Sequence, residues 1–239
     1  MRSSSEALVS LGNEREVLDL VANSVMSLWD VVNNLTRLRP TRRERYRVTI
    51  FGSARVPEDH WVYAAVRDVA EELTRLGCDI VTGGGPGLMA AANEGTRRVE
   101  PDAVGRSVGI RVELPFEQDV NAFVSEAYEH RTFFTRLHQF VLMSDAFVVM
   151  PGGIGTVLEA MMIWQLLQVG HLQDTPLIMV GKMYAELVAW CRDHMLRQEP
   201  RLAAPEDIAL PQCVEDGPGI LRIVRAHYST WTAAREQSA

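Results

Sequence analysis

Two β-branched runs each lead into a glycine-rich loop that opens a helix, and this pairing limits the fold more than any other feature. The first is Asp79-Ile-Val-Thr82 followed by Gly83-Gly84-Gly85-Pro86-Gly87-Leu88-Met89. The second is Ala146-Phe-Val-Val-Met150 followed by Pro151-Gly152-Gly153-Ile154-Gly155-Thr156. Around them, short apolar runs alternate with stretches of helical period. Val48-Thr-Ile-Phe51 reads as a strand ending in Gly52-Ser53, 59–76 as a helix closed by Gly77, and 87–99 as a second helix. A strand is expected at 107–112, a short one at 123–128, a helix at 131–143, and another from the second loop to about 169. A late strand covers Leu177–Val180, with helices near 183–197 and 218–235. Strands separated by helices form βαβ units, and their parallel sheet needs helices on both faces. The expectation is a single α/β domain.

A separate segment precedes that domain. Residues 13–38 read as one amphipathic helix, because Val17, Leu18, Val21, Val25, Leu28, Trp29, Val32 and Leu35 recur at spacings of three and four. An arginine-rich connector follows, with Arg37, Arg39, Arg42, Arg43, Arg45 and Arg47, and Arg55 a little beyond. It reads either as a solvated linker or as a patch facing an anion or a subunit. The expected division is a helical arm and connector at 1–46 and a nucleotide-binding catalytic domain at 47–239. The arm's apolar stripe needs covering, which predicts a homo-oligomer, a dimer or larger.

Composition excludes several classes. At 239 residues with 47% hydrophobic content, the chain can build a core without disulfides or a metal. Cys78, Cys191 and Cys213 lie far apart with no CxxC pair, which fits a reducing compartment. The net charge of −7 argues against nucleic acid as a partner. The amino-terminal stretch has no apolar signal core, and no run approaches the ~20 apolar residues of a membrane span. A cytoplasmic protein with no membrane partner is the expectation. The six histidines form no metal-ligand cluster; His130, His138 and His171 read as solvated or structural, and no metal is expected.

The loops carry the functional signal. Glycine lets backbone N–H groups approach an anion, and a helix start adds a favourable dipole. Ligands of open α/β sheets gather at the carboxyl ends of strands, where both loops lie. Ser53, Gly84, Gly85, Gly87, Gly152, Gly153, Gly155 and Thr156 are therefore candidates for binding a phosphate. Gly85-x-Gly87-x-x-Ala90 with Glu113 downstream also satisfies a dinucleotide fingerprint, but it follows the second strand and leaves the other loop without a role. No Walker lysine is present.

Glu159 is the only charged residue in the apolar start of the helix after the second loop. It is either a site carboxylate or a helix-dipole glutamate. Arg131 and Arg136 lie just ahead of the strand at 146–150 and either hold a phosphate or ribose or form surface ion pairs. Lys182 is the only lysine among the 24 lysine and arginine residues, so any Schiff-base chemistry has one candidate.

Together, Gly83-Gly-Gly-Pro-Gly-Leu-Met89 and Pro151-Gly-Gly-x-Gly-Thr-x-x-Glu159 make the chain look like the LOG (Lonely Guy) family over about residues 47–200. These are cytokinin riboside 5′-monophosphate phosphoribohydrolases, many of them long labelled possible lysine decarboxylases. The amino-terminal helix and the Phe-Phe-x-Arg136 pattern resemble the longer members, which tend towards larger oligomers. The resemblance implies a Rossmann-like fold, an active site at a dimer interface, and no cofactor. It also implies hydrolysis of a nucleoside 5′-monophosphate such as AMP to base and ribose 5-phosphate. It places catalysis on Arg136 and Glu159 and the phosphate on the glycine loops and Thr156. The chain departs from the family pattern at Leu137 (lysine in the pattern), Ala160 (glutamate) and Ala90 (glycine). The base is left unassigned, whether a cytokinin or an ordinary purine or pyrimidine. A rival reading is a non-catalytic nucleotide sensor on the same fold; a pyridoxal-phosphate decarboxylase would have to use Lys182.

Overall fold

The computed structural model describes residues 15, 18, 19, 21–25, 44–99, 106–112 and 120–236. The chain divides into two units, Met1–Arg42 and Arg43–Ala239. In the first, residues 15, 18, 19 and 21–25 are helical with exposed side chains. The rest of the expected 13–38 helix, including Val17, Leu28, Trp29, Val32 and Leu35, lies outside the described residues, as does Glu113 of the dinucleotide fingerprint.

The second unit holds a seven-stranded, all-parallel sheet with helices on both faces, a Rossmann-like α/β architecture. Its elements run β1 (Arg47–Phe51), α1 (Trp61–Arg75), β2 (Asp79–Thr82), α2 (Leu88–Val99), β3 (Ser107–Val112) and β4 (Glu126–His130). Next come α3 (Phe133–Met143), β5 (Ala146–Val149), α4 (Ile154–Gln168), β6 (Leu177–Val180) and α5 (Lys182–Cys191), which ends in a π-helical turn at Arg192–Leu196. A short α6 (Pro205–Ile208), β7 (Pro211–Val214) and α7 (Gly217–Glu236) complete the unit. The strand order is β4-β3-β2-β1-β5-β6-β7.

Alternation along each strand divides the core in two. Val48, Ile50, Ile80, Val148 and Ile178 point to one side, where they pack with α1, α2 and α7. Phe51, Val81, Phe147, Val149, Leu177 and Met179 point to the other, against α3, α4 and α5. Strands buried on both faces read as continuous apolar runs, which is why these segments stand out in the sequence.

Two strands differ from expectation. The run at 123–128 pairs only from Glu126, so β4 is shifted to Glu126–His130. Asn121 holds the preceding residues in a turn: its carbonyl accepts from Val124 N–H and its side-chain oxygen from Phe123 N–H. β7 was not expected at all. It is a four-residue edge strand beginning with proline, a residue tolerated at that place because it withholds an N–H that an edge does not need.

The connector also turns partly inward. Arg45 and Arg47 approach the buried Asp79 carboxylate at 3.5 and 3.7 Å, and Arg106 reaches it at 3.3 Å. Burial still raises the Asp79 pKa, against the pull of these arginines.

The tightest helix contact is between α1 and α2 at Gly95, where an added Cβ would run into the Arg67 carbonyl and lie 2.9 Å from Ala70 Cβ and Glu71 N. Alanine is the better helix former by ~1 kcal/mol. Backbone cannot retreat as a side-chain tip can, so Gly95→Ala should still destabilise by about 1–3 kcal/mol, lowering Tm by several degrees. Thermal unfolding of the two proteins checks this; an equal or higher Tm would show that the helices separate freely.

Candidate active site

β1 and β5 lie side by side, and the chain leaves them in opposite directions, to β2 through α1 and to β6 through α4. The divergence opens a cleft of about 510 Å³ at their carboxyl ends. Gly52, Ser53, Ala54 and Arg55 line it after β1, with Met89 from α2 and Arg136 from α3. Residues 153–156 and Glu159 form the α4 side.

α1 and α3 begin with side-chain caps: His60 Nδ1 accepts from Val62 N–H, and Thr132 Oγ1 from Thr135 N–H. α4 does not. Its N-cap is Gly153, with no side-chain hydrogen bond. The N–H groups of Ile154, Gly155 and Thr156 therefore have no acceptor within the helix. At Gly153 and Gly155 the space a Cβ would occupy is open. The cleft wall is thus a helix amino terminus with free donors, an arrangement suited to an anion.

Arg136 is only 9% exposed. Its Nε donates to the Ile110 carbonyl at 2.8 Å, Nη2 faces the Gly83 carbonyl at 3.5 Å, and Cζ lies 5.5 Å from the Phe140 ring centroid. Nη1 is 3.9 Å from Glu159 Oε1, too far for a hydrogen bond. The Glu159 side chain is 13% exposed. Burial pushes its carboxyl up to about 7, while the Arg136 charge pulls it down. Near neutral pH it is divided between acid and carboxylate. Behind it, Tyr184 donates to the Met150 carbonyl at 3.2 Å, fixing the point where β5 enters the second loop. Burial first, and the Glu159 charge second, push that phenol up to about 12.

Of the residues expected from sequence, Ser53, Gly153, Gly155, Thr156, Arg136 and Glu159 meet in this one cleft. Gly152 lies beneath Thr156, where a Cβ would strike the threonine hydroxyl. Gly84, Gly85 and Gly87 do not line the cleft. The carbonyls of Gly84 and Gly85 accept from Asn121 Nδ2, and Gly87, at φ +66°, packs against the backbone of Ser53 and Ala54. Arg131 is exposed outside the cleft.

Arg55, Met89 and Ile154 are cleft residues that sequence reasoning missed. Arg55 carried a signal, since it follows Ser53 by two positions and its N–H donates to Ser53 Oγ at 3.1 Å. Sequence proximity grouped it with the connector arginines instead.

Lys182 does not fit a Schiff-base role. Its side chain is 88% exposed, Nζ is 3.4 Å from Glu186, and it lies outside the cleft. Among the described residues no three His, Cys, Asp or Glu side chains gather as a metal site, and no helix is long and apolar enough to cross a membrane.

Comparison with solved structures places the architecture among known ones. The molybdenum cofactor carrier protein from Chlamydomonas reinhardtii superposes with a TM-score of 0.54 at 16% identity, covering 78% of this chain and 99% of that one. The molybdenum cofactor binding protein from Rippkaea orientalis gives 0.53 at 17% identity over 78% and 98% of the two chains. The structural-genomics target TM1055 gives 0.53 at 17% over 76% and 99%. At such identities the likeness is one of fold. No curated protein matches the sequence significantly. The sequence match is to a family model that begins at Met89 beside the cleft and takes in Arg136, the second glycine loop and Glu159. That model, of the LOG family described as "Possible lysine decarboxylase", covers residues 89–223, more than half of the chain, and the protein belongs to this family.

Proposed function

We propose that the protein is a nucleoside 5′-monophosphate phosphoribohydrolase, releasing a free base and ribose 5-phosphate. The observation that carries this reading is one cleft lined by both the Arg136–Glu159 pair and the uncapped amino terminus of α4. In this reading the 5′-phosphate takes the free N–H groups of α4, the hydroxyls of Ser53 and Thr156, and the Arg55 guanidinium. The glycosidic carbon C1′ then lies towards Glu159. Cleavage passes through an oxocarbenium-like state, which a carboxylate stabilises while orienting water. Water adds its oxygen to C1′, and its proton balances the nitrogen of the departing base. Arg136 keeps Glu159 partly ionised and holds the ribose end of the substrate. The phosphate, remote from the breaking bond, supplies binding energy used at C1′.

A second reading is a non-catalytic nucleotide- or cofactor-binding protein. Two fold neighbours favour it, being described as a molybdenum cofactor carrier and a molybdenum cofactor binding protein. Incubation of purified protein with AMP separates the two, since only the hydrolase forms adenine.

We also propose a homo-oligomer in the cytoplasm. Leu158 and Met161 of α4 and Phe133 and Phe134 of α3 leave large apolar side chains exposed. A second copy of the chain would cover this surface. The three free cysteines fit a reducing compartment.

AMP should be cleaved with a kcat/KM at least about a hundredfold above adenosine, because two lost charge-assisted contacts already amount to that. Thr156→Val should slow AMP turnover and leave the adenosine rate nearly unchanged; equal rates for AMP and adenosine in the parent would remove the phosphate site.

Glu159→Gln should bind AMP but turn it over at least ~100-fold more slowly. For the parent, kcat/KM should rise with pH through about 7 as the Glu159 proton leaves. A flat profile from pH 5 to 8, or a fully active variant, would take Glu159 out of the mechanism.

Light scattering should give a dimer or larger, and Leu158→Glu should shift it towards the 26.7 kDa monomer. A monomeric parent at micromolar concentration would refute the assembly.

A further inference from the structure

We propose that Gly83 is a positioning residue for the reaction: its bare α-carbon is the seat of the Arg136 guanidinium, so the first glycine loop acts on the reacting centre through that arginine. The activity part of this proposal rests on the hydrolase reading; the geometric part does not.

The guanidinium is boxed on three sides. Nε is tied to the Ile110 carbonyl of β3, one face lies over Phe140 of α3, and Nη2 lies against Gly83 at the end of β2. The remaining direction is that of Nη1, towards Glu159. A Cβ on Gly83 would collide with Nη2 and stand 2.7 Å from Met89 Sδ. The backbone at this point cannot retreat easily. Gly84 N–H donates to Thr82 Oγ1 at 3.0 Å, the Gly84 carbonyl accepts from Asn121 N–H at 2.8 Å, and Asn121 Nδ2 donates to the Gly85 carbonyl at 3.0 Å. What yields is the tip of Arg136, the atoms that face Glu159.

Gly83 differs in kind from its neighbours. Gly84 and Gly87 have φ of +73° and +66°, where any side chain is strained. Gly83 is not left-handed, so alanine suits its backbone and only the space is taken. The substitution therefore tests the seat rather than the turn. Burial raises the proton affinity of Glu159 and the Arg136 charge lowers it; Glu159 in turn acts on Tyr184, and Arg136 on His130 of β4. Displacing the guanidinium removes the cation that holds the Glu159 proton affinity down.

The experiment is a cycle of Gly83→Ala and Arg136→Ala, read by AMP kinetics and by the 13C titration of the Glu159 carboxyl, assigned through its loss in Glu159→Gln. Gly83→Ala should lower kcat on the order of tenfold or more while KM stays within about threefold. It should move the carboxyl titration to higher pH. In the Arg136→Ala background it should add no further shift. If Gly83→Ala alone does not fold, the double variant, freed of the collision, should regain a melting transition. A folded Gly83→Ala with parental kcat and titration overturns the proposal, as does a full additional effect in the Arg136→Ala background, or a double variant as unfolded as Gly83→Ala. A parent that releases no base defeats the hydrolase reading, and the titration then decides on Gly83 alone.

Discussion

The parallel pairing of β1 with β5 is the constraint on which the rest of the molecule depends. Val48 to Phe51 lie in register with Ala146 to Val149, so both strands end at the same level. From that level one chain turns to α1 and the other to α4, packed on opposite faces of the sheet. The crevice between them is a topological switch point, the kind of place where open α/β sheets bind ligands. The two core clusters hold the pairing in place, because a one-residue slip would move the side chains of β1 from one cluster to the other.

The chemistry of the cleft follows from what these elements leave unsatisfied. A helix start normally recruits Ser, Thr, Asp or Asn to accept from its free N–H groups. α4 has glycine there, and its donors remain available to a ligand. The arginine is the opposite case. Its Nε and Nη2 atoms are committed to backbone carbonyls, which leaves Nη1 to act on Glu159 from 3.9 Å. A close bidentate pair would lock the carboxylate in its anionic form and occupy both oxygens. At the longer separation burial outweighs the pull of Arg136, and the Glu159 carboxyl is pushed up to about 7.

Much of this was legible from the sequence for physical reasons. β2, β5 and β6 are buried on both faces and uninterrupted, so their boundaries read directly. The glycine loops announce backbone that must come close to something. What they come close to was not legible, because glycine reports the need for space and not its occupant. Gly87 makes room for the Ser53 and Ala54 backbone, and Gly83 for Arg136, while Gly153 and Gly155 face open cleft. Arg55 was missed because its role depends on the turn after β1, and β7 because a proline-led edge strand lacks an apolar pattern.

The three departures from the family pattern also take on a physical meaning in the fold. Ala90 and Ala160 belong to the two core clusters, and Leu137 is buried beside Arg136; none lines the cleft. A charged side chain at 137 or 160 would have to be paired or reach out of an apolar environment, at a cost of several kcal/mol if it could do neither. Leucine and alanine remove that demand. Among the described residues that line the cleft, the charged ones are Arg55, Arg136 and Glu159. Two cations stand against one carboxylate whose charged form burial disfavours, and that balance suits an anion.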